Sequence, residues 1–286
     1  MLTTDYSSSA LPIAAPIVIN PRTLPTTPLA RPTSLIPLPV TRVWGLDFSV
    51  VDMEQTLGYI DQLIKRGKPA SVITANLNYA MLCDKNPRLA EFTRKCPIVL
   101  CDGMPIFWRS LLNEKKLPER VAGSDLIFAL AAHSAQVGNR IFLMGGAEGI
   151  AAKTADRLRE LYPGVNIVGV ECPPFRDLTE TEHNQLLSRI RNAKPDVLLV
   201  AFGQPKGEYW IEDNAEKIGV PVSIQLGASF DFVVGNSKRA PIWMQKLGLE
   251  WLYRTYSDPK RLLPRYAKNA WFLMKAIRQE LLDITA

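Results

Sequence analysis

Long apolar stretches are missing from this sequence. No run of about 18 apolar residues occurs, so no membrane-spanning helix is expected. The opening Met1-Leu2-Thr3-Thr4-Asp5 lacks a basic start, and prolines break each apolar stretch after it, which argues against a signal peptide. Cysteine is scarce: Cys83, Cys96, Cys101 and Cys172 are too few for a disulfide scaffold in 286 residues. No Cys-x-x-Cys pair occurs, which argues against a zinc ribbon or a thioredoxin-type site and makes a reducing cytoplasm the default. Histidine is scarcer still. With only His133 and His183, a multi-histidine metal centre is not expected.

What is present is an ordinary globular composition, 47% apolar and 22% charged. The formal charge of +6 is unevenly placed. Residues 236–286 hold ten Lys and Arg against Glu250, Asp258, Glu280 and Asp283, so the rest of the chain balances at zero. A neutral body with a basic tail fits a polyanion or an anionic membrane surface, or else a solvated helical face. At the other end, residues 1–40 hold eight of the 22 prolines and only Asp5, Arg22 and Arg31 as charges. Neither helix nor central strand tolerates that density, so a disordered or polyproline-like extension is expected there.

From Arg42 onward, short apolar strands alternate with amphipathic helices. Asp52 can cap a helix that ends at Gly67, and Ala70–Thr74 reads as a buried strand. A helix is expected over Tyr79–Arg94, then the strand Pro97–Cys101 and a turn at Asp102-Gly103-Met104-Pro105. Helices Asp125–Gln136, Ile150–Tyr162, Glu180–Asn192 and Tyr209–Ile218 alternate with strands Arg140–Met144, Asn166–Val170, Asp196–Phe202 and Val222–Leu226. This is the pattern of an α/β protein, a parallel sheet with helices on both faces. Pro259 and Pro264 are expected to divide the basic tail into at least two helices. In the last, Tyr266, Ala270, Leu273, Met274, Ile277 and Leu281 form an apolar stripe, with Lys268, Lys275, Arg278 and Trp271 off it. That stripe suits either a membrane interface or packing against protein.

In such sheets ligands sit beyond the carboxyl ends of the strands. Asp102 follows a buried strand directly, a position that suits a general base, although the residue alone reads more readily as a turn or cap aspartate. Thr74 and Asn76 offer neutral polar groups at a neighbouring exit, for sugar hydroxyls or as helix caps. Gly145-Gly146-Ala147-Glu148-Gly149 lies between strand and helix, where glycines admit a phosphate or merely relieve sterics. Gly203-Gln204-Pro205-Lys206 and Gly227-Ala228 mark two further exits. His133, His183 and the Cys96-x4-Cys101 pair read as structural.

Several blocks, in order, resemble the WecG/TagA/CpsF family of glycosyltransferases from about Arg42 to Met274. They are Thr74–Asn78; Asp102–Pro105 with Glu119–Asp125; Phe142–Gly146 with Phe202–Lys206; and Gly227–Phe232, Arg239–Pro241, Leu249–Arg254, Pro259–Arg261 and Arg265-Tyr266. The resemblance implies a Rossmann-like core over residues 41–235 and a basic helical appendage over 236–286 that covers the active site and meets the membrane. It implies inverting transfer of a hexosamine, hexose or uronic acid from a UDP-sugar to a polyprenyl-diphosphate-linked glycan, as in envelope polysaccharide synthesis. Asp102 becomes the candidate base, with Thr74 and Asn76 beside it. Gly103, Gly123, Gly145, Gly146, Gly203, Gln204, Pro205, Lys206, Glu208, Gly227 and Asp231 become candidates for nucleotide or sugar contact. Arg239, Arg254, Arg261 and Arg265 become candidates for the diphosphate. No cofactor or metal is implied, and no Asp-x-Asp pair is present to hold one on a diphosphate. The expected location is the cytoplasmic face of the membrane, without nucleic acid as partner and with a homo-oligomer left open.

The chain departs from the family at one position. The family usually reads Pro-Lys-Gln-Glu, whereas this chain reads Pro205-Lys206-Gly207-Glu208. If the missing glutamine touches donor, either donor choice changes or Gln204 takes over the contact. Two rival readings remain. A dehydrogenase would carry a fuller glycine fingerprint early in the chain and bind nicotinamide; a membrane-docked scaffold would bind lipid without turnover.

Overall fold

The computed structural model describes residues 35–285. Most of the Pro-rich extension expected over 1–40 lies outside the described residues; from its end, Leu35 and Leu38 pack against the core. In chain order the elements are β1 (Val40–Val43), β2 (Leu46–Ser49), α1 (Met53–Arg66), β3 (Ala70–Ala75), α2 (Leu77–Lys85), α3 (Pro87–Lys95) and β4 (Ile98–Cys101). There follow α4 (Met104–Ser110), α5 (Gly123–Val137), β5 (Ile141–Gly145), α6 (Ile150–Leu161), β6 (Ile167–Glu171), α7 (Glu180–Ala193), β7 (Val197–Ala201), α8 (Lys206–Ile218) and β8 (Val222–Gln225). The chain closes with α9 (Ser229–Val233), α10 (Ile242–Lys246), α11 (Glu250–Ser257) and α12 (Pro259–Thr285).

Strands β3 to β8 form one parallel sheet in the order β4-β3-β8-β7-β5-β6. Alternation along each strand divides the core in two. Val72, Leu100, Leu143, Leu199 and Ile224 face one layer, with residues of α1, α5 and α6. Ile73, Val99, Phe142, Met144 and Val200 face the other, with residues of α2, α3, α7 and α8. The β1–β2 hairpin guards the β4 edge, where the Val99 N–H donates to Ser49 Oγ at 3.1 Å. Capping boxes at Asp52/Gln55 and Thr179/Glu182 open α1 and α7.

Three local expectations needed correction. The helix expected over Tyr79–Arg94 is two helices, because Asn86-Pro87 stops α2 and starts α3: Asn86 accepts from the Leu89 N–H and Pro87 takes the first turn. The turn at Met104-Pro105 is the start of α4, with Pro105 again in the first turn. Pro259 does open a helix, whose Arg261 N–H donates to Asp258 Oδ1 at 3.4 Å, but Pro264 lies inside α12 without ending it. It removes one donor near an exposed helix start, where water can serve the freed carbonyl.

Candidate active site

A cavity of about 600 Å³ lies at the carboxyl ends of β4, β3, β8 and β7. The order reverses here: the chain steps outward from β3 to β4, then crosses to β5 on the far side, which is where α/β sheets open a crevice. Thr74, Asn76, Asn78, Asp102, Arg120 and Gln204 line the sheet side. Trp108 of α4 and Trp251, Arg254, Arg261, Arg265, Tyr266 and Asn269 of α11 and α12 line the opposite wall.

Each polar group on the sheet side is fixed by the local fold. Asn76 caps α2, accepting from the Tyr79 N–H at 3.1 Å, so its cap role and its place on the cavity coexist. Thr74 Oγ1 donates to the Gln225 carbonyl at 3.2 Å, tying β3 to β8. Asn78 Nδ2 donates to Gln204 Oε1 at 3.2 Å, and Gln204 Nε2 reaches the Thr74 carbonyl at 3.5 Å. The Asp102 N–H donates to the Ala75 carbonyl at 2.9 Å, which extends the β3–β4 pairing by one residue and holds the carboxylate at the cavity lip. Burial pushes the Asp102 carboxyl up to about 7; Glu250 and Asp125 push the same way, against the cations Arg120 and Arg239.

Two groups of arginines serve different surroundings. Arg120 and Arg239 are enclosed by acids: Arg120 lies 3.5 Å from Asp125 and 3.7 Å from Glu250, while Arg239 pairs with Asp125, lies 3.7 Å from Glu250 and donates to Gln245 at 2.7 Å. This network binds α5 to the segment from Arg239 through the start of α11. Arg254, Arg261 and Arg265 line the opposite wall of the cavity. Arg254 lies over the Phe232 ring at 5.3 Å, and Arg261 donates to Asp258 at 2.7 Å. Burial lowers the pKa of Arg265 from its ordinary value, and the neighbouring Arg254 and Arg261 lower it further. Its buried Nε and the buried Asn269 Oδ1 have no hydrogen-bond partner. A cluster of crowded cations, one with an unpartnered guanidinium N–H, favours an anion.

Of the residues expected from sequence, Thr74, Asn76, Asp102, Gly103, Gly203, Gln204, Gly227, Arg254, Arg261 and Arg265 meet on this cavity. Gly123 sits behind it: a Cβ there would come within 3.2 Å of Thr74 Oγ1. Gly145 and Gly146, at the end of β5, lie outside the lining, beyond β7. Gly145, at φ +103°, makes room for the Phe202 ring, which would lie 2.7 Å from a Cβ, and Gly146 packs near Ile150 and Phe230. Pro205 and the exposed Lys206 start α8 away from the lining, and Glu208 is buried beneath it. Asp231 lies on α9, its carbonyl accepting from the Ser237 N–H. Arg239 is engaged by acids rather than open to the cavity. Arg120 and Glu250 were missed, although both stand in blocks that carry the family resemblance; nothing in the sequence showed that those blocks meet.

Among the described residues no three His, Cys, Asp or Glu side chains cluster to hold a metal ion, and no helix is long and apolar enough to cross a membrane. The model of the glycosyl transferase WecG/TagA/CpsF family matches residues 41–284. Two proteins named N-acetylglucosaminyldiphosphoundecaprenol N-acetyl-beta-D-mannosaminyltransferase are similar. That of Bacillus spizizenii is 32% identical over 203 residues, 71% of this chain and 76% of its own. That of Bacillus subtilis is 33% identical over 214 residues, 73% of this chain and 80% of its own. The chain therefore belongs to the WecG/TagA/CpsF family of glycosyl transferases.

Proposed function

We propose that the protein transfers a sugar, with inversion, from a UDP-sugar to a polyprenyl-diphosphate-linked glycan. The observation that carries this reading is the pairing of Asp102, raised to about 7, with the cationic wall of Arg254, Arg261 and Arg265 across one cavity. The acceptor hydroxyl attacks the anomeric carbon while Asp102 takes its proton. The bond from that carbon to the diphosphate oxygen breaks, and its electron pair leaves with UDP. A base poised near neutral pH is half ionised at its working pH and still basic enough to draw the proton. The arginines stabilise the charge growing on the leaving diphosphate, the task a divalent cation performs elsewhere, and so the reaction needs no metal. Thr74 and Asn76 present neutral polar groups beside the base for sugar hydroxyls or an acetamido group.

The names of the two relatives supply the substrate class: an N-acetylmannosaminyl group moved to N-acetylglucosaminyl-diphosphoundecaprenol. For this chain the donor is a hexosamine, hexose or uronic acid, and the place of work is the cytoplasmic face of the membrane. A panel of UDP-sugars, offered with a short polyprenyl-diphosphate N-acetylglucosamine, tests the reading. One donor should be transferred, and excess EDTA should leave most of the rate. Absence of UDP binding would reject the reading, and collapse in EDTA restored by Mn²⁺ or Mg²⁺ would reject the metal-free mechanism.

A further inference from the structure

Under the cavity floor lie polar groups that the transfer chemistry leaves unused. Glu208 and Gln225 are only 2% and 3% exposed. The Gln225 side chain projects from the end of β8 toward α8, where Nε2 reaches Glu208 Oε2 at 3.5 Å and Oε1 accepts from the Gly227 N–H. Its backbone carbonyl accepts the Thr74 hydroxyl at 3.2 Å. One residue therefore grips two parts of the lining, Thr74 and the Leu226–Ser229 turn. Room for it exists because residue 207 is glycine: a Cβ there would stand 2.2 Å from Gln225 Cγ. The space beside the bare Cα of Gly207 is filled from the facing strand.

We propose that Gln225, admitted by Gly207 and anchored on Glu208, is the positioning residue that sets the Leu226–Ser229 turn against the donor. That the turn faces a UDP-sugar rests on the transferase reading; the brace itself does not. Gln225 lies outside the cavity lining, so it acts through the Gly227 N–H and not by touching substrate. Burial pushes Glu208 up to about 7, and both its neutral and charged forms offer an oxygen to the Gln225 amide. Without that amide, the Gly227 N–H and the Glu208 carboxyl lose partners in a place water reaches poorly.

The test is a double-variant cycle in the full chain: Gln225→Gly, Gly207→Gln, and both together. Gln225→Met is added because it keeps the bulk and deletes the amide. Hydrogen exchange across residues 225–233 reads the turn, UDP calorimetry reads the site, and steady-state kinetics separate KM from kcat. Gln225→Met and Gln225→Gly should speed exchange at the turn and weaken UDP binding about tenfold, with KM moving more than kcat. Gly207→Gln alone should be destabilised by overpacking; the double variant should recover that stability, because the clash with Gln225 is gone, but keep the fast exchange and weak UDP binding of Gln225→Gly. Parent-like exchange and affinity in Gln225→Met, or a double variant as destabilised as Gly207→Gln alone, would overturn the proposal. If the parent protein fails to bind UDP, the transferase reading falls, while the exchange comparison still decides whether Gln225 braces the turn.

Discussion

Asp102 shows how a single position acquires a chemical property from its surroundings. Its backbone is the last paired residue beyond β4, and its carboxyl is raised to about 7 chiefly by burial. Turnover should therefore fall on the acid side along a limb centred near pH 7, well above the range of an exposed aspartate. The same shift costs stability. A carboxyl whose folded pKa exceeds its unfolded value of about 4 stabilises the fold fully below pH 4 and loses that contribution as pH rises through 7. Asp102→Asn is expected to reduce turnover by ~10²–10⁴-fold with UDP affinity kept, and to raise stability at pH 8 by ~2–4 kcal/mol, a gain absent near pH 4. Turnover across pH and denaturant melts at both pH values check this; near-parental turnover would remove Asp102 from the mechanism. Residue type and spacing alone favour a turn or cap role for Asp102, and only the family resemblance points to a base, because the charged groups that act on its carboxyl, Arg120, Asp125, Arg239 and Glu250, come from separate segments of the chain. Gly145-Gly146 show the converse. A glycine pair after a strand is compatible with phosphate, and packing asks for small residues there as well: Gly145 makes room for the Phe202 ring and Gly146 for Ile150.

At the scale of elements, the ion network joining α5 to α11 couples the fastening of these elements to the Asp102 carboxyl. Asp125 and Glu250 each lie near both Arg120 and Arg239, and all four act on the Asp102 carboxyl. Two substitutions should then move the acid limb in opposite directions. Arg239→Ala removes a cation that favours the Asp102 carboxylate, so the limb moves to higher pH; Glu250→Gln removes an anion that opposes it, so the limb moves lower. Arg239→Ala also leaves partly buried acids short of a partner and should cost about 2 kcal/mol of stability. The pH–rate profiles of the two variants are the measurement, and shifts of the same sign would show that the network does not govern Asp102. Elements were the most legible level. Strand–helix alternation gave the parallel sheet, since each buried strand is a short apolar run bounded by turns. What escaped were features set by packing: the break at Asn86-Pro87, the helix α4, and the inward face of α12. Among the described residues of α12, Leu262, Asn269 and Phe272 are buried, a face that a count of apolar spacing passes over because it carries an asparagine.

For the whole molecule, the charge asymmetry acquires a direction. The stripe expected from sequence is divided: Tyr266, Ala270 and Leu273 line the cavity, whereas Met274, Ile277 and Leu281 are exposed beside Leu263 and Trp271. Trp271 is 69% exposed, and Lys268, Lys275 and Arg278 are exposed on the same helix. Exposed apolar groups among cations favour a bilayer with anionic lipid, where burial and attraction add. One helix would then wall the active site with one face and rest on the membrane with the other, keeping a lipid-linked acceptor within reach of Asp102. Substituting Trp271→Ala, Met274→Ser and Ile277→Ser together alters only the outward face and spares the cavity lining. The triple variant should lose sedimentation with phosphatidylglycerol vesicles and transfer to a long-chain acceptor in those vesicles. It should keep transfer to a short, water-soluble analogue, because the outward side chains are absent from the cavity lining. Undiminished transfer to the vesicle-borne acceptor would show that this face does not deliver the enzyme to its substrate.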